Sequence, residues 1–120
     1  MNLPGPGPLA TLTIVLVVNR FRVPEEETTG FRADVEEARA ALSEQRGYRH
    51  GTIGRNVDDP TLWTLVTAWD NVGAYRRALS SYDVKLRAVA LLGRAIEEPS
   101  AYEVVEPDTV LNVGGARSIG

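Results

Sequence analysis

Two segments of the chain have the composition of β-strands but lack the alternation of apolar and polar residues expected of a sheet with one face in water. Residues 12–22 are rich in valine, isoleucine and leucine, and apolar side chains occur at both odd and even positions. Residues 62–69 show the same two-sided pattern, with Trp63 and Trp69 on one side. A sheet that contains these strands therefore has to be covered on both faces, because an exposed apolar face of this size would promote association.

The segments between these strands carry helical patterns. The first helix is marked by an apolar stripe at helical spacing, formed by Phe31, Val35, Ala38 and Leu42. It is expected to begin either at Pro24 or one turn later at Thr28 or Thr29, and to end before Gly47. A second helical region follows a cap at Asp70-Asn71 and is interrupted near Ser80-Ser81. Its predicted stripe consists of Val72, Tyr75, Leu79, Tyr82, Leu86, Val89 and Gly93.

The predicted elements follow the order β-α-β-β-α-β. Strands are expected at residues 12–22, 48–57, 62–69 and 101–106, and Asp58-Asp59-Pro60 is the turn of a hairpin between the second and third. This order is typical of the ferredoxin-like α+β fold, a four-stranded antiparallel sheet with both helices on one face. We expect the other face to be covered by a second copy of the chain in a homodimer. The alternative is that the terminal segments fold back over it.

Composition limits the class of protein. A length of 120 residues suits one domain, for which we predict residues 11–106, between a Pro/Gly-rich tail (1–10) and a C-terminal tail (107–120). The net charge of −3 disfavours nucleic-acid binding, and the absence of cysteine excludes disulfides and thiolate chemistry. The apolar run at residues 9–18 is too short to cross a membrane and follows no basic segment, so a soluble cytoplasmic protein is expected.

Several local motifs together resemble the antibiotic biosynthesis monooxygenase domain, a branch of the dimeric α/β-barrel superfamily. They are Gly47-Tyr48, Asp58-Asp59-Pro60 and the run Thr67-Ala68-Trp69-Asp70-Asn71 followed by Tyr75. The resemblance implies that two ferredoxin-like sandwiches pair into a dimeric α/β barrel. It also implies oxidation of a small aromatic substrate, such as a polycyclic phenol, anthrone or quinol, by molecular oxygen without a cofactor. Such chemistry needs an apolar cavity with a few polar groups, expected on the helix side of the sheet.

Three polar residues are candidates for catalysis: Asn19, Tyr75 and His50. Asn19 interrupts an apolar strand, and haem-degrading members of the family place an asparagine on their first strand; alternatively, it lies where the strand frays. The Tyr75 hydroxyl can donate a hydrogen bond to a substrate oxygen, or Tyr75 simply belongs to the helical stripe. His50 is the only histidine and a candidate base, although a lone histidine on a strand is more often a surface residue. Strict alternation would place His50 on the same face as Tyr48 and Thr52.

Three further residues are candidates for substrate binding. Trp69 and Trp63 can line a flat aromatic pocket, or they fill the core or the subunit interface. Arg87 can attract an anionic phenolate, or it belongs to a solvated helix face.

A departure from the family pattern restricts the reactions that the protein is expected to catalyse. Ala78 occupies the position of a second-helix histidine that many members have. The absence of this histidine disfavours haem degradation. We also predict no cofactor and no metal site. Two alternatives stay open: a non-catalytic dimeric module that binds a small hydrophobic ligand, and an isomerase or cyclase of the same superfamily.

Overall fold

Four antiparallel strands form one sheet in the computed structural model, which describes residues 14–111. The strands are β1 (Val15–Arg22), β2 (Tyr48–Arg55), β3 (Leu62–Trp69) and β4 (Ala101–Glu103), in the spatial order β2-β3-β1-β4. The two-sided strands β1 and β3 are neighbours at the centre of this sheet. The ferredoxin-like α+β fold predicted from the order of elements is confirmed.

Four α-helices complete the described part of the chain: α1 (Thr28–Ser43), α2 (Val72–Ser80), α3 (Tyr82–Arg87) and α4 (Val89–Leu92). A short 3₁₀ turn, Glu25–Glu27, precedes α1, so the chain starts to coil after Pro24 and becomes α-helical at Thr28. The 3₁₀ turn thus begins after Pro24, the first predicted starting point, and the α-helix begins at Thr28, the second. Within residues 14–111, no helix has the length and apolar character needed to cross a membrane.

The helices cover one face of the sheet. On β1, Val15, Val17 and Phe21 are buried in the core with α1, whereas Leu16 and Val18 on the opposite face are half-buried. The same division holds on β3, where Trp63, Leu65 and Trp69 belong to the core. We call the uncovered side, which carries Leu16, Val18, Arg20, Leu62, Thr64, Val66 and Ala68, the open face. It remains substantially apolar, as the two-sided strand pattern predicted.

The hairpin turn between β2 and β3 is organised by its side chains. The Asn56 side chain accepts hydrogen bonds from the backbone N–H groups of Asp58 and Asp59, which ends β2 two residues earlier than predicted. Asp59 in turn accepts hydrogen bonds from the hydroxyl and backbone N–H of Thr61 and pairs with Arg22. These interactions lower the pKa of Asp59 to about 2. Asp58 and Asp59 thus form part of the turn, as predicted from the sequence.

The predicted stripe of the second helical region is wrong beyond Ser81. Ser81 has extended backbone angles and caps α3 by accepting from the N–H of Val84, so α3 does not continue the helical phase of α2. Tyr82 and Leu86 consequently lie on the surface, with 80% and 68% of their area exposed. The buried residues of this part are Val84, Ala88 and Leu91.

The C-terminal elements are shorter than predicted. Only Ala101–Glu103 pairs as a strand, opposite Val15, Leu16 and Val17. Val110 and Leu111 are exposed, so these two side chains are not buried against the open face. Residues 112–120 of the predicted C-terminal tail lie outside the described residues. The predicted tail at residues 1–10 lies outside the described residues.

Candidate functional site

Three aromatic rings meet where the end of β3 approaches the start of α2. The Trp69 ring is fully buried and lies between the rings of Tyr48 and Tyr75, with centroid distances of 5.4 Å to each. Tyr48 meets the indole nearly edge-on, at an interplanar angle of 87°, and Tyr75 meets it at 57°. Such tilted contacts are favoured because the positive edge of one ring meets the negative face of the next.

The chain brings these rings together through two local features. Asn71 caps α2 by accepting a hydrogen bond from the N–H of Ala74 at 2.9 Å, so the helix starts three residues after Trp69 and Tyr75 lies in its first turn. Gly47 has a φ of +91° immediately before Tyr48, a conformation that residues with a Cβ rarely adopt. A Cβ on Gly47 would lie 2.5 Å from the Cβ of Ala74, so glycine allows β2 to begin against α2.

Two polar side chains adjoin the aromatic cluster. Asn19 on β1 is opposite Leu65 of β3 and on the helix side of the sheet, with its side chain beside the Tyr75 hydroxyl. Both residues are half-buried. Burial raises the pKa of Tyr75, and the nearby Asn19 side chain offsets part of that increase. Tyr75 therefore stays protonated at neutral pH and can donate a hydrogen bond.

Two half-exposed apolar side chains form a rim beside Tyr75. Val72 and Leu79 lie about one turn before and one turn after Tyr75 on α2 and pack against the core without being fully buried. Asn19, Tyr75, Trp69 and this rim form an apolar site with two hydrogen-bonding groups at the helix–sheet boundary, which we call the aromatic site. The sequence predicted each of the first three residues, and the structure brings them together.

His50 lies away from the aromatic site. A β-bulge between Tyr48 and His50 places Tyr48 opposite Trp69 but His50 opposite Ala68, on the open face. The prediction that His50 and Tyr48 share one face is therefore wrong, because the extra residue breaks the alternation. His50 does share a face with Thr52, opposite Val66, and its side chain is exposed.

Trp63 and Arg87 also lie apart from Trp69. Trp63 packs edge-on against Phe31, at 5.3 Å, at the other end of β3, and the Arg55 guanidinium lies over its ring. Arg87 forms ion pairs with Glu37 and Glu44 of α1 and with Asp83. The bonds with Glu37 and Asp83 raise the pKa of Arg87. Its charge is thus neutralised by three carboxylates that join α3 to α1.

One cavity of the described residues lies on the open face. Its volume is about 420 Å³, and it is lined by residues that include Val18, Arg20, Trp63, Thr64 and Val66. Arg20 forms two hydrogen bonds of 2.8 Å with Glu98, so its charge is paired there. Within residues 14–111, no group of three His, Cys, Asp or Glu side chains is arranged to hold a metal ion.

The fold is that of a small ferredoxin-like α+β domain with an aromatic cluster between the end of β3 and the start of α2. Residues 14–86 match the model of the antibiotic biosynthesis monooxygenase family, so the chain belongs to this family. The membership implied by the sequence motifs is confirmed.

Solved structures support the same fold. SnoaB, a cofactor-independent oxygenase from Streptomyces nogalater, is 24% identical, with a TM-score of 0.66 over 80% of this chain and 97% of that one. A conserved protein from Methanosarcina mazei Go1 is 15% identical, with a TM-score of 0.65 over 80% of this chain and 97% of that one. No curated protein matches the chain.

Proposed function

We propose that the protein is a cofactor-independent monooxygenase that oxidises a small aromatic phenol, anthrone or quinol with molecular oxygen at the aromatic site. The observation that carries the proposal is the placement of the Asn19 side chain beside the Tyr75 hydroxyl, next to the buried Trp69 ring. Family membership and the structural similarity to the oxygenase SnoaB support it.

The reaction needs no reductant other than the substrate. An anthrone loses a proton from its methylene carbon and becomes an enolate, which transfers one electron to O₂. Recombination of the substrate radical with superoxide and a proton forms a carbon–oxygen bond and a hydroperoxide. Loss of water from the hydroperoxide leaves a carbonyl, so one oxygen atom enters the quinone and the other leaves as water. The electrons that reduce O₂ come from the two C–H bonds that are lost.

The roles of the side chains follow from their chemistry. The enolate oxygen gains negative charge as the proton leaves, and the Asn19 amide and the Tyr75 hydroxyl are the donors that stabilise it. The buried Trp69 ring supports the half-buried Tyr75 ring, which offers an aromatic surface to a flat substrate. The apolar rim formed by Val72 and Leu79 limits the access of water, which strengthens these hydrogen bonds. Solvent takes the proton, since His50 is on the other side of the sheet.

Oxygen uptake tests this function directly. Metal-free protein mixed with dithranol, a dihydroxyanthrone, in the presence of a chelator should consume one O₂ for each quinone formed. A rate no higher than that of dithranol in buffer would contradict the proposed function. Binding of dithranol without oxygen uptake would instead favour the non-catalytic ligand-binding module.

We also propose that the open face is the interface of a homodimer, which would form the dimeric α/β barrel expected of this family. Leu16, Val18 and Val66 on this face are only half-buried in one chain, and the charge of Arg20 is already paired with Glu98. Pairing two open faces would remove this apolar surface from water. The aromatic site lies on the helix side and stays accessible in such a dimer.

A charge at the centre of the open face should prevent association. Val66 is paired with Val18 on one side and Thr52 on the other, so Val66→Asp would bury a carboxylate in the interface. Sedimentation at micromolar concentration should give twice the mass of the 13.1 kDa chain for the unmodified protein and a single-chain mass for the variant.

Val57→Asp is the matched control, because Val57 is 95% exposed in the hairpin turn. This variant should keep the dimer mass. A single-chain mass for the unmodified protein would overturn the proposed interface.

A further inference from the structure

We propose that Thr67 is a positioning residue of the aromatic site: its buried hydroxyl fixes the orientation of the buried Trp69 indole, against which the Tyr75 ring packs. This inference rests on the proposed function for the identity of the bound molecule. The hydrogen bond between Thr67 and Trp69 is a feature of β3 and does not depend on that function.

The hydrogen bond between these residues is short and buried. The Trp69 Nε1–H donates to the Thr67 Oγ1 at 2.8 Å, and Thr67 is 1% exposed. Thr67 is the one polar residue that is fully buried within residues 14–111. A buried hydroxyl costs free energy unless it is hydrogen-bonded, so a valine of the same shape would be the simpler core residue.

Trp63 provides an internal comparison. It lies on the same face of the same strand and is also buried, yet its Nε1 has no hydrogen-bond partner among the described residues. Packing against Phe31 and the Arg55 guanidinium is therefore sufficient to hold one indole of β3. The additional hydrogen bond is placed at Trp69, the indole that adjoins Asn19 and Tyr75.

The Thr67 side chain is itself held in one orientation. Its cross-strand partner is Gly51, and a Cβ on Gly51 would lie 3.2 Å from the Thr67 methyl carbon and would clash with the Tyr48 hydroxyl. The absence of a side chain at Gly51 thus leaves room for both groups. Because a β-branched residue has few rotamers, directing the methyl towards Gly51 leaves the hydroxyl free to meet Trp69.

The effect of Thr67 reaches the substrate through the rings. The Trp69 ring contacts those of Tyr48 and Tyr75, and the Tyr75 hydroxyl lies beside Asn19. Rotation of the indole would move the Tyr75 ring and thereby its hydroxyl. A displacement of about 1 Å in a positioning group can lower a rate by about two orders of magnitude.

Thr67→Val and Thr67→Ser separate the hydroxyl from the shape of the residue. Valine keeps the shape and removes the hydrogen bond, whereas serine keeps the hydroxyl. Thr67→Val should lower kcat/KM for dithranol about tenfold, and Thr67→Ser should stay within about twofold of the unmodified protein. The dissociation constant of the anthraquinone product, measured by quenching of tryptophan fluorescence, should rise about tenfold in the valine variant only.

Ultraviolet resonance Raman spectra report the hydrogen-bonding state of each indole N–H. The unmodified protein should show one bonded and one unbonded indole, and Thr67→Val should convert the bonded signal to an unbonded one. The Trp63→Phe variant assigns the two signals. A general loss of stability would not convert one indole signal from the bonded to the unbonded form.

The outcomes separate this inference from the proposed function. Absence of dithranol oxidation in the unmodified protein would contradict the function, and the anthraquinone dissociation constants would then decide the role of Thr67. Equal constants for the valine and serine variants, absence of anthraquinone binding, or a Raman signal unchanged in Thr67→Val would overturn the inference.

Discussion

Replacing Asn19 with leucine should lower kcat/KM for dithranol oxidation about a hundredfold, because the enolate oxygen loses a donor that acts where charge develops. Stability should change little, within about 1 kcal/mol, since the half-buried Asn19 amide is replaced by an apolar group of similar size. Steady-state oxygen uptake and chemical denaturation measure the two quantities.

His50→Leu is the matched control on the same sheet. His50 is exposed on the open face, opposite Ala68, so this variant should keep kcat/KM within about twofold of the unmodified protein. A loss in His50→Leu as large as that in Asn19→Leu would contradict the site and restore His50 as a candidate base.

Replacing Gly47 with alanine should destabilise the fold by about 2–4 kcal/mol. The positive φ of +91° is unfavourable for a residue with a Cβ, and the new methyl group would lie 2.5 Å from the Cβ of Ala74. Relief of this contact requires β2 and α2 to separate, which would also move Tyr48 away from Trp69. Equilibrium denaturation measures the change in the free energy of unfolding.

Gly30→Ala tests whether the effect is specific to position 47. Gly30 lies in α1, and a Cβ there would meet no atom within 4 Å. Because alanine is a better helix former than glycine, this variant should be more stable by about 0.5–1 kcal/mol. Equal destabilisation by both substitutions would show that the close approach at Gly47 has no special importance.

Much of the fold could be predicted because its signals are local. The cap at Asn71, the turn at Asp58-Asp59-Pro60 and the bounds of β3 depend on residues that are adjacent in sequence. Prediction failed where a small irregularity changed the phase of a repeating pattern. The extended residue Ser81 shifts the buried side of α3, and the bulge before His50 moves that residue to the open face.

The candidate site was predictable in part for the same reason. Asn19, Trp69 and Tyr75 stand out as a polar residue in an apolar strand and two aromatic residues beside a helix cap. Asp83, four residues before Arg87, is a local partner, but Glu37 and Glu44 are 50 and 43 residues away, so sequence spacing does not reveal that all three carboxylates pair with Arg87. The role inferred for Thr67 likewise depends on the three-dimensional structure. Threonine is common in strands, and the sequence does not show that its hydroxyl lies beside an indole N–H.

The most direct test of this account is a double-mutant cycle of Asn19→Leu and Tyr75→Phe, with oxygen uptake on dithranol as the measurement. If Asn19 and Tyr75 act as a unit, each single variant should lose most of kcat/KM. The double variant should then be no more than about threefold below Asn19→Leu alone. Losses that multiply would show that the two residues act independently, and full activity in either single variant would contradict the proposed site.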